Sequence, residues 1–408
     1  MSETSPFNNV VLRKSPVVQL KLTTLTPVHI GSGKTLNADI DFFIQGNQVA
    51  FIDDQKILKL LGSTNLVQRI EQWAVAIATN QSLRGFLTQQ AGPGVFNDLK
   101  NFASRISTLK SNNPTSRNLK EHYRTALQGL CIPGSSLKGA MTTLLLAELL
   151  DDAFLKKTLK TSDISTLKKK KDGGSRLEFQ DKYVMQKFFG NNPNKSINRF
   201  LKVFDAPFPE VNSEVHELKV LNITNFHKST WGFKPRQHML IECIPAGVST
   251  TFSLKLDHTW LQRNREKNAH VWKNKKTEHL SDIYKFLQSL NKKELKILTD
   301  DVHELSENGI DNHPSGREHL KNLEKIFDIC EKCRSGEAVL RVGGHVGWTY
   351  TTGSWVRYSG EGVSDDDFKQ LRKAIQKKEY PLDTMWPKTR KTTDQGTAFG
   401  FVKLECIN

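Results

Sequence analysis

The run from Ile132 to Leu149, IPGSSLKGAMTTLLLAEL, constrains this chain more than any other stretch. Pro133-Gly134 ends one element, and Ser135 or Ser136 can cap the helix that must follow. Leu137, Met141, Leu144, Leu145 and Leu149 then recur at helical spacing, a stripe that needs a core to bury it. A helix start of this kind offers unpaired backbone N–H groups and a partial positive charge. Gly134 would let another backbone approach, while Ser135, Ser136 and Lys138 add donors, so a phosphate is one natural occupant. Ordinary capping is the other reading, with Gly139 present for close helix packing.

The rest of the chain can be organised around that helix. Its 408 residues predict two to three domains. VVQLKLTT, Val17 to Thr24, alternates as a half-buried strand and runs into TPVHIGSG, which reads as a turn with a glycine loop. DIDFFIQGNQVAFID reads as a hairpin turning at Gln45 to Gln48. Helical spacing at Leu58, Leu61, Val67, Ile70 and Trp73 predicts a helical insertion over about 55–128. The lysine-rich 153–171 reads as a mobile basic loop, and FLKVFDAPFP (Phe200 to Pro209) as a strand ended by prolines. A boundary near 210 then separates an N-terminal domain, 1–210, from a C-terminal one, 211–408. In the second half, LKVLNITNF and HMLIECIPAGVSTTFSLKL supply strands, the last two separated by Pro245-Ala246-Gly247. Helical and basic segments follow, then the glycine-rich Arg341 to Gly353. A helix capped by Ser364, with stripe Phe368, Leu371 and Ile375, precedes WPKTRK and a final alternating run. Strands mixed with helices in both halves predict an α+β fold.

Charge points to the partner. Fifty-nine basic residues against 43 acidic leave +16 and a pI near 9.5, which favours a polyanion, nucleic acid first. The longest central apolar run, Met141 to Leu150, is too short to span a bilayer, so no membrane partner is expected. The opening residues lack a secretory pattern, and five scattered cysteines suit a reducing cytoplasm. RVGGHVGWTYTTG interleaves Arg341, His345, Trp348 and Tyr350 with Gly343, Gly344 and Gly347, a pattern suited to tracking a single strand, or only a flexible hairpin. Lys388, Arg390 and Lys391 add cations near the end. Arg263, Arg265, Lys267, Lys273, Lys275 and Lys276, flanked by Trp260 and Trp272, form a secondary patch or a solvated helix face.

Catalytic patterns are weaker. GSGKT at Gly31 to Thr35 mimics a phosphate-binding loop, but the required first glycine is replaced by Val28, and a strand-like run follows where a helix must begin. His29 could be a general base or could hold the loop by hydrogen bonds. Asp39 and Asp41 could position a metal or orient a scissile phosphate, or form the polar face of the hairpin. Cys330 and Cys333 form a lone C-x-x-C without a second ligand pair, and the stripe Leu323, Ile326, Phe327, Cys330 puts at least one thiol in the core. No cofactor or metal is expected.

Taken in order, TPVHIGSG, FIDDQKIL, IPGSSLKGA, LKVFDAPF, IECIPAG, the Arg341 to Gly353 segment and WPKTRK with GFVKL resemble the landmarks of the RAMP superfamily of CRISPR effector subunits. The helical insertion and the terminal PKTRK are similar to the subunit-five family of type III-A (Csm) complexes, over nearly the whole chain. The resemblance implies two ferredoxin-like (RRM-like) domains, the first with the helical insertion and the second with helical and basic insertions. It implies a non-catalytic subunit that caps one end of a ribonucleoprotein and contacts the 3′ portion of the CRISPR RNA. The last backbone-type RAMP subunit and small helical subunits would be its neighbours, with target RNA adjacent. A further implied role is assistance of accessory nucleases that mature the RNA 3′ end. The implied RNA contacts are His29, Gly31, Ser32, Gly33 and Lys34; Gly134, Ser135, Ser136 and Lys138; and Arg341, Gly343, Gly344 and Gly347. Lys388, Arg390 and Lys391 join them. His345 and Trp348 depart from the family's plainer glycine pattern. The alternative is a RAMP endoribonuclease, cutting target RNA with metal through Asp39 or Asp41, or processing repeats without metal through His29.

Overall fold

In a computed structural model, the alternation of Val17–Thr24 is realised as the central strand of a sheet, with Leu20 and Leu22 fully buried and Lys21 exposed. The structure describes residues 16–407 except 63, 80–81, 127–128, 150–164, 170–174, 180–181, 226, 268–277, 352–356, 358–367, 370–371 and 373–383.

In chain order, β1 is Val17–Thr24, β2 Gly31–Asn37, β3 Phe42–Gln45 and β4 Gln48–Ile52. Helices α1 Asp54–Leu61, α2 Leu66–Ala78 and α3 Leu83–Ala91 follow, then β5 Ala103–Leu109, β6 Asn118–His122, β7 Leu130–Ile132 and α4 Gly134–Leu149. Next come β8 Ser165–Lys169, β9 Ser175–Phe179, α5 Lys182–Phe189, β10 Leu201–Val203 and β11 Ala206–Phe208. The long strands β12 Glu214–Asn225 and β13 Thr230–Cys243 precede β14 Ser249–Leu256, α6 His258–Lys267, α7 Ile283–Glu307 and α8 Pro314–Glu331. Strands β15 Glu337–Arg341, β16 Thr389–Thr393 and β17 Phe401–Cys406 close the chain.

The expected α+β class is what folds, in two main sheets. One runs β10-β14-β1-β17-β15, and the other β2-β6-β13-β12-β5-β4-β3, with β16 also paired to β12. Both sheets take strands from either side of position 210: β1 lies between β14 and β17, and β5 pairs in parallel with β12. The principal core joins β1, β14, β15 and β17 to α4, α7 and α8, through Leu22, Leu254, Leu340, Leu404, Met141, Leu290 and Leu323. The stripe read on α4 is buried throughout.

Three expectations change. The insertion over 55–128 is helical only to Ala91, apart from short 3₁₀ turns at Pro93–Asn97 and Leu99–Asn101; then β5 and β6 join the second sheet. In β5, Ser107 and Leu109 alternate inward, a period-two signal that the preceding helical spacing masks. The helical part buries its own cluster, Ile57, Leu61, Phe86 and Leu87, against Phe43 and Phe102. Val67 and Ile70 point outward, so the apolar spacing there runs around the helix rather than along one buried stripe. The lysine-rich segment includes a paired hairpin, β8 with β9, in register at Leu167 and Leu177; its residues 153–164 and 170–171 lie outside the described residues. FLKVFDAPFP supplies two short strands instead of one: β10 extends the first sheet, β11 pairs β7, and Asp205 sits at the switch. The hairpin at Gly46-Asn47 and the break at 245–247 fall where read. Ser364, Leu371 and Ile375 of the proposed capped helix lie outside the described residues.

Gly134 and Gly139, five residues apart on α4, do opposite things. A Cβ on Gly134 would stand 2.3 Å from the Val203 carbonyl oxygen, so this glycine is what lets α4 approach β10. A Cβ on Gly139 would meet nothing within 4 Å, which overturns the packing role read for it. Gly134→Ala is therefore expected to lose about 3 kcal/mol of unfolding free energy, the upper range for forced overpacking. Gly139→Ala should gain up to about 1 kcal/mol from helix propensity. Urea denaturation midpoints of the two variants check both signs.

Candidate nucleic-acid interface

Segments distant in sequence meet at one cleft of about 360 Å³. Gly31 opens it from β2, Ser136 and Gly139 line it along α4, and Gly343 and Gly344 line it from the loop after β15. Four of these five positions have little or no side chain, so the cleft presents backbone to whatever lies in it. The loop is seated on the first segment: Gly344 N–H donates to the His29 carbonyl at 2.8 Å. A side chain at Gly343, which has φ +97°, would come within 2.5 Å of that same oxygen.

The GSGK segment is a bulged strand. Gly31 pairs with His122 and Thr35 with Lys120, so Ser32, Gly33 and Lys34 are looped out. Gly33 takes φ +92° with open space around it, the geometry a bulge asks of glycine. Ser32 Oγ donates to Glu121 at 3.0 Å and accepts from Lys34 N–H at 3.1 Å. Lys34 is exposed.

Under the cleft lie three histidines. His29 is only 3% exposed, stacks on His345 with ring centroids 5.4 Å apart, and meets His122 edge-on at 6.0 Å. His29 Nδ1 donates to the Glu242 carbonyl at 2.7 Å. His122 accepts from Ile30 N–H at 3.1 Å on Nδ1 and donates to the Cys131 carbonyl at 3.2 Å on Nε2, which requires the neutral ring. Burial lowers the pKa of His29, and burial with the neighbouring imidazole takes His122 to about 3. His345 falls to about 3 through burial, Lys391 and His29. It holds φ +69°, uncommon for a non-glycine residue, between the His29 ring and the Lys391 ammonium at 3.4 Å. Through Nδ1 the His29 ring is anchored to β13, while its backbone carbonyl seats the glycine loop.

Glu242 organises this floor. Its buried carboxylate accepts from Arg124 at 2.6 Å, Arg105 at 3.3 Å, Ser213 Oγ at 2.7 Å and His122 N–H at 3.1 Å. Although burial opposes its ionisation, the two guanidiniums outweigh burial and hold its pKa at about 2.

The other candidates divide. The N-terminus of α4 already carries an anion of its own: Gly134 N–H donates to Asp205 Oδ1 at 2.7 Å. Ser135 and Ser136 therefore lie inside the first turn, free of the capping role read for them. Lys138 lines a separate hollow on the far side of the α4 edge. Arg341 and Arg390 face inward at 5% and 7% exposure. Arg390 pairs with the buried Asp301 at 2.6 Å, and Tyr350 donates to the same carboxylate at 2.9 Å. Arg341 donates to the Phe399 carbonyl and lies over the Tyr350 and Phe401 rings, although one edge of it reaches the cleft. Tyr350 is thus committed to the core, and Trp348 packs on Trp386 at 4.4 Å. Strand alternation explains PKTRK: Arg390 points in while Lys391 is exposed, and Lys388 is half-buried. Gly347, at φ +90°, is exposed.

Asp39 and Asp41 close the turn before β3. Asp39 pairs with Arg117, and Asp41 accepts from Asn37 N–H at 2.7 Å. Among the described residues no three His, Cys, Asp or Glu side chains converge as a metal-ligand set. Cys330 is buried and donates to Asn291 Oδ1, while Cys333 donates to the Ile329 carbonyl; burial raises both thiol pKa values, Cys333 to about 11. In the secondary patch, Arg263 is exposed, Trp260 is held by its indole N–H on the Ser196 carbonyl, and Trp272 with Lys273, Lys275 and Lys276 lies outside the described residues. Lys120, His122, Glu242, Arg105 and Arg124 escaped the sequence reading. The one signal was the Lys120-Glu121-His122 alternation, hidden in a span read as helical.

A family model described as the RAMP superfamily matches residues 21–348. No curated protein matches. Among solved structures, the crystal structure of T. onnurineus Csm5 superposes with a TM-score of 0.57 at 16% identity, covering 94% of this chain and 99% of that one. A chain in a cryo-EM structure of a Csm–crRNA–target RNA ternary complex of a type III-A CRISPR-Cas system gives 0.60 at 18% identity, covering 95% and 100%. At these identities the likeness is one of fold. No helix among the described residues is long and apolar enough to cross a membrane.

The buried histidines set an acid limit. His122 stays neutral in the fold down to about pH 3, whereas in the unfolded chain it protonates near 6.5. Its contribution to stability is complete above 6.5 and drains as pH falls from there toward 3. Between pH 7 and 5 this one group should cost about 2 kcal/mol of unfolding free energy. Glu242 adds a further loss between about 4.5 and 2, where its unfolded form protonates first. Chemical denaturation across pH 7 to 5 should show the first decline, and His122→Gln should lessen it by its own share, leaving that of His29 and His345.

Proposed function

The chain belongs to the RAMP superfamily, and from that premise we propose that it is a non-catalytic RNA-binding subunit of a type III-A CRISPR (Csm) effector ribonucleoprotein. In this reading it caps the complex at the 3′ end of the CRISPR RNA, assists maturation of that end by accessory nucleases, and works in the cytoplasm. Its neighbours are the last backbone-type RAMP subunit and the small helical subunits, with target RNA close by.

One observation carries the reading: the bulged β2, the α4 edge and the glycine-rich loop line a single cleft. Lys34 and Lys120 lie on the β2–β6 pair that carries Gly31, Lys391 lies against His345 of the glycine-rich loop, and none of the three is in an ion pair with a carboxylate among the described residues. Bare backbone along the cleft and ammonium groups at its rim suit a sugar-phosphate chain gripped without regard to base. The fold it shares with chains of Csm assemblies agrees with that partner. The commitment of Asp39 to Arg117 and of Asp41 to the Asn37 N–H supports binding over metal-dependent cleavage.

If about six phosphates are neutralised, log affinity for single-stranded RNA should fall against log salt with a slope near −4, from about 0.7 per phosphate. Replacing Lys34, Lys120 and Lys391 together by glutamine should flatten that slope by about 2. A slope near zero for the natural chain refutes the reading. So does RNA cleavage, with or without divalent metal, that Asp39→Ala, Asp41→Ala or His29→Ala abolishes.

A further inference from the structure

Strand β5 is paired along one side and bare along most of the other. With β4 it pairs from Gln48 opposite Thr108 to Ile52 opposite Ala103. With β12 it pairs only at Thr108 and Leu109. Leu109 N–H turns to the Asn47 carbonyl at 2.7 Å, whereas Thr108 and Lys110 N–H turn the other way, to the Ser213 and Val215 carbonyls at 3.3 and 2.8 Å. By the same alternation the N–H and C=O of Ile106 point away from β4, into the lane that β12 enters only at Glu214. No partner for them is found among the described residues.

A hollow of about 520 Å³ follows this bare edge, lined by every residue from Ala103 to Thr108. Successive side chains leave a strand on opposite faces, so only a groove running along the edge can touch them all. The lane beside Ala103 to Ser107 is about 16 Å long, at about 3.3 Å per residue. Its lower end is cationic. Lys56 Nζ donates to the Lys100 and Ala103 carbonyls at 3.0 and 2.7 Å, which holds its ammonium at the start of β5, and Lys100 beside it is exposed. Both lysines line the hollow, and among the described lining residues there is no Asp or Glu. The acids near them in sequence are engaged: Asp53 caps α1 through Gln55 and Lys56 N–H, and Asp98 accepts from Lys100 N–H. The third cation, Arg105, is taken by Glu242 and Glu121.

We propose that the bare edge of β5 receives an extended, acidic segment of a partner protein as an added strand. Main-chain hydrogen bonds to Ile106 would supply the grip, and carboxylates set against Lys56 and Lys100 would supply the choice of segment. An unpaired edge is a general template for strands, and lysines beside it turn away those without acidic residues. A peptide fits this lane better than a nucleic-acid strand does, because the edge offers a carbonyl as well as an N–H and a phosphate would leave that carbonyl facing an anion. The proposal is independent of the RNA cleft, which lies on other segments.

The test uses the full chain and a fluorescein-labelled heptapeptide, valine-threonine-valine between pairs of aspartates, read by fluorescence anisotropy and amide hydrogen exchange. The peptide should bind saturably, and a version with lysines in place of the aspartates should not. In the free chain the Ile106 amide should exchange fast, and the peptide should slow it at least about tenfold, as a new hydrogen bond requires. Lys100→Glu, at an exposed position, should weaken binding about fivefold. Ile106→Pro removes the one donor aimed off the sheet and spares the β4 ladder, so it should abolish binding; if that variant does not fold, exchange at Ile106 and Lys100→Glu decide. An Ile106 amide already protected in the free chain overturns the proposal. So does an absence of saturable binding, or equal binding of the lysine peptide. Protection of residues 103–108 by single-stranded oligoadenylate and not by the acidic peptide overturns it in favour of nucleic acid.

Discussion

Glu242 is the point on which the cleft depends. Its carboxylate gathers Arg105 from β5, Arg124 and the His122 N–H from the end of β6, and Ser213 from the approach to β12. Its backbone carbonyl holds His29. A buried carboxylate is tolerated only when its lone pairs are filled by good donors, and here the four donors come from three separate segments. The same residue that would be most costly to leave unpaired is therefore the one that fixes where β2 and β6 end, and so where the glycine loop can sit.

A second buried ionic group works from the opposite side. Asp301 on α7 takes Arg390 from β16 and the Tyr350 hydroxyl from beyond the glycine-rich loop. Arg341 lies over the Tyr350 and Phe401 rings, which meet edge-on. Glu294, also buried on α7, has its pKa raised to about 8 because burial outweighs the pull of Arg341. The cations that look most like ligand-binding groups in the sequence thus hold the loop in place from beneath, while Lys34 and Lys391 are exposed.

Much of the fold was legible. Period-two runs became β1, β3 and β4, and the α4 stripe is the core it was read to be. The three loops read as RNA contacts do gather at one place, because each is punctuated by glycines whose backbone needs are visible in sequence. What could not be read was direction. Arg341 and Arg390 sit in segments as basic as their neighbours, and only the pairing register of β15 and β16 decides that they turn inward. Ser136 and Lys138 are two residues apart on a short motif, yet a half-turn of the helix sends them to different hollows. Glu242 had no signal at all in IECIPAG, since its Arg105, His122 and Arg124 partners come from more than a hundred positions away.

Interleaving of the two sheets carries a cost in time. The Thr26 hydroxyl accepts the Phe401 N–H across 375 positions, and β17 lies against β1 in the centre of the sheet. Contacts this distant in sequence make for slow, late-completing folding. The loop after β15 is seated by β17 and by the Phe399 carbonyl. A ribosome must therefore release almost the entire polypeptide before the groove exists, and a nascent chain stalled short of its final strand would carry all of the positive charge with no shaped place to use it.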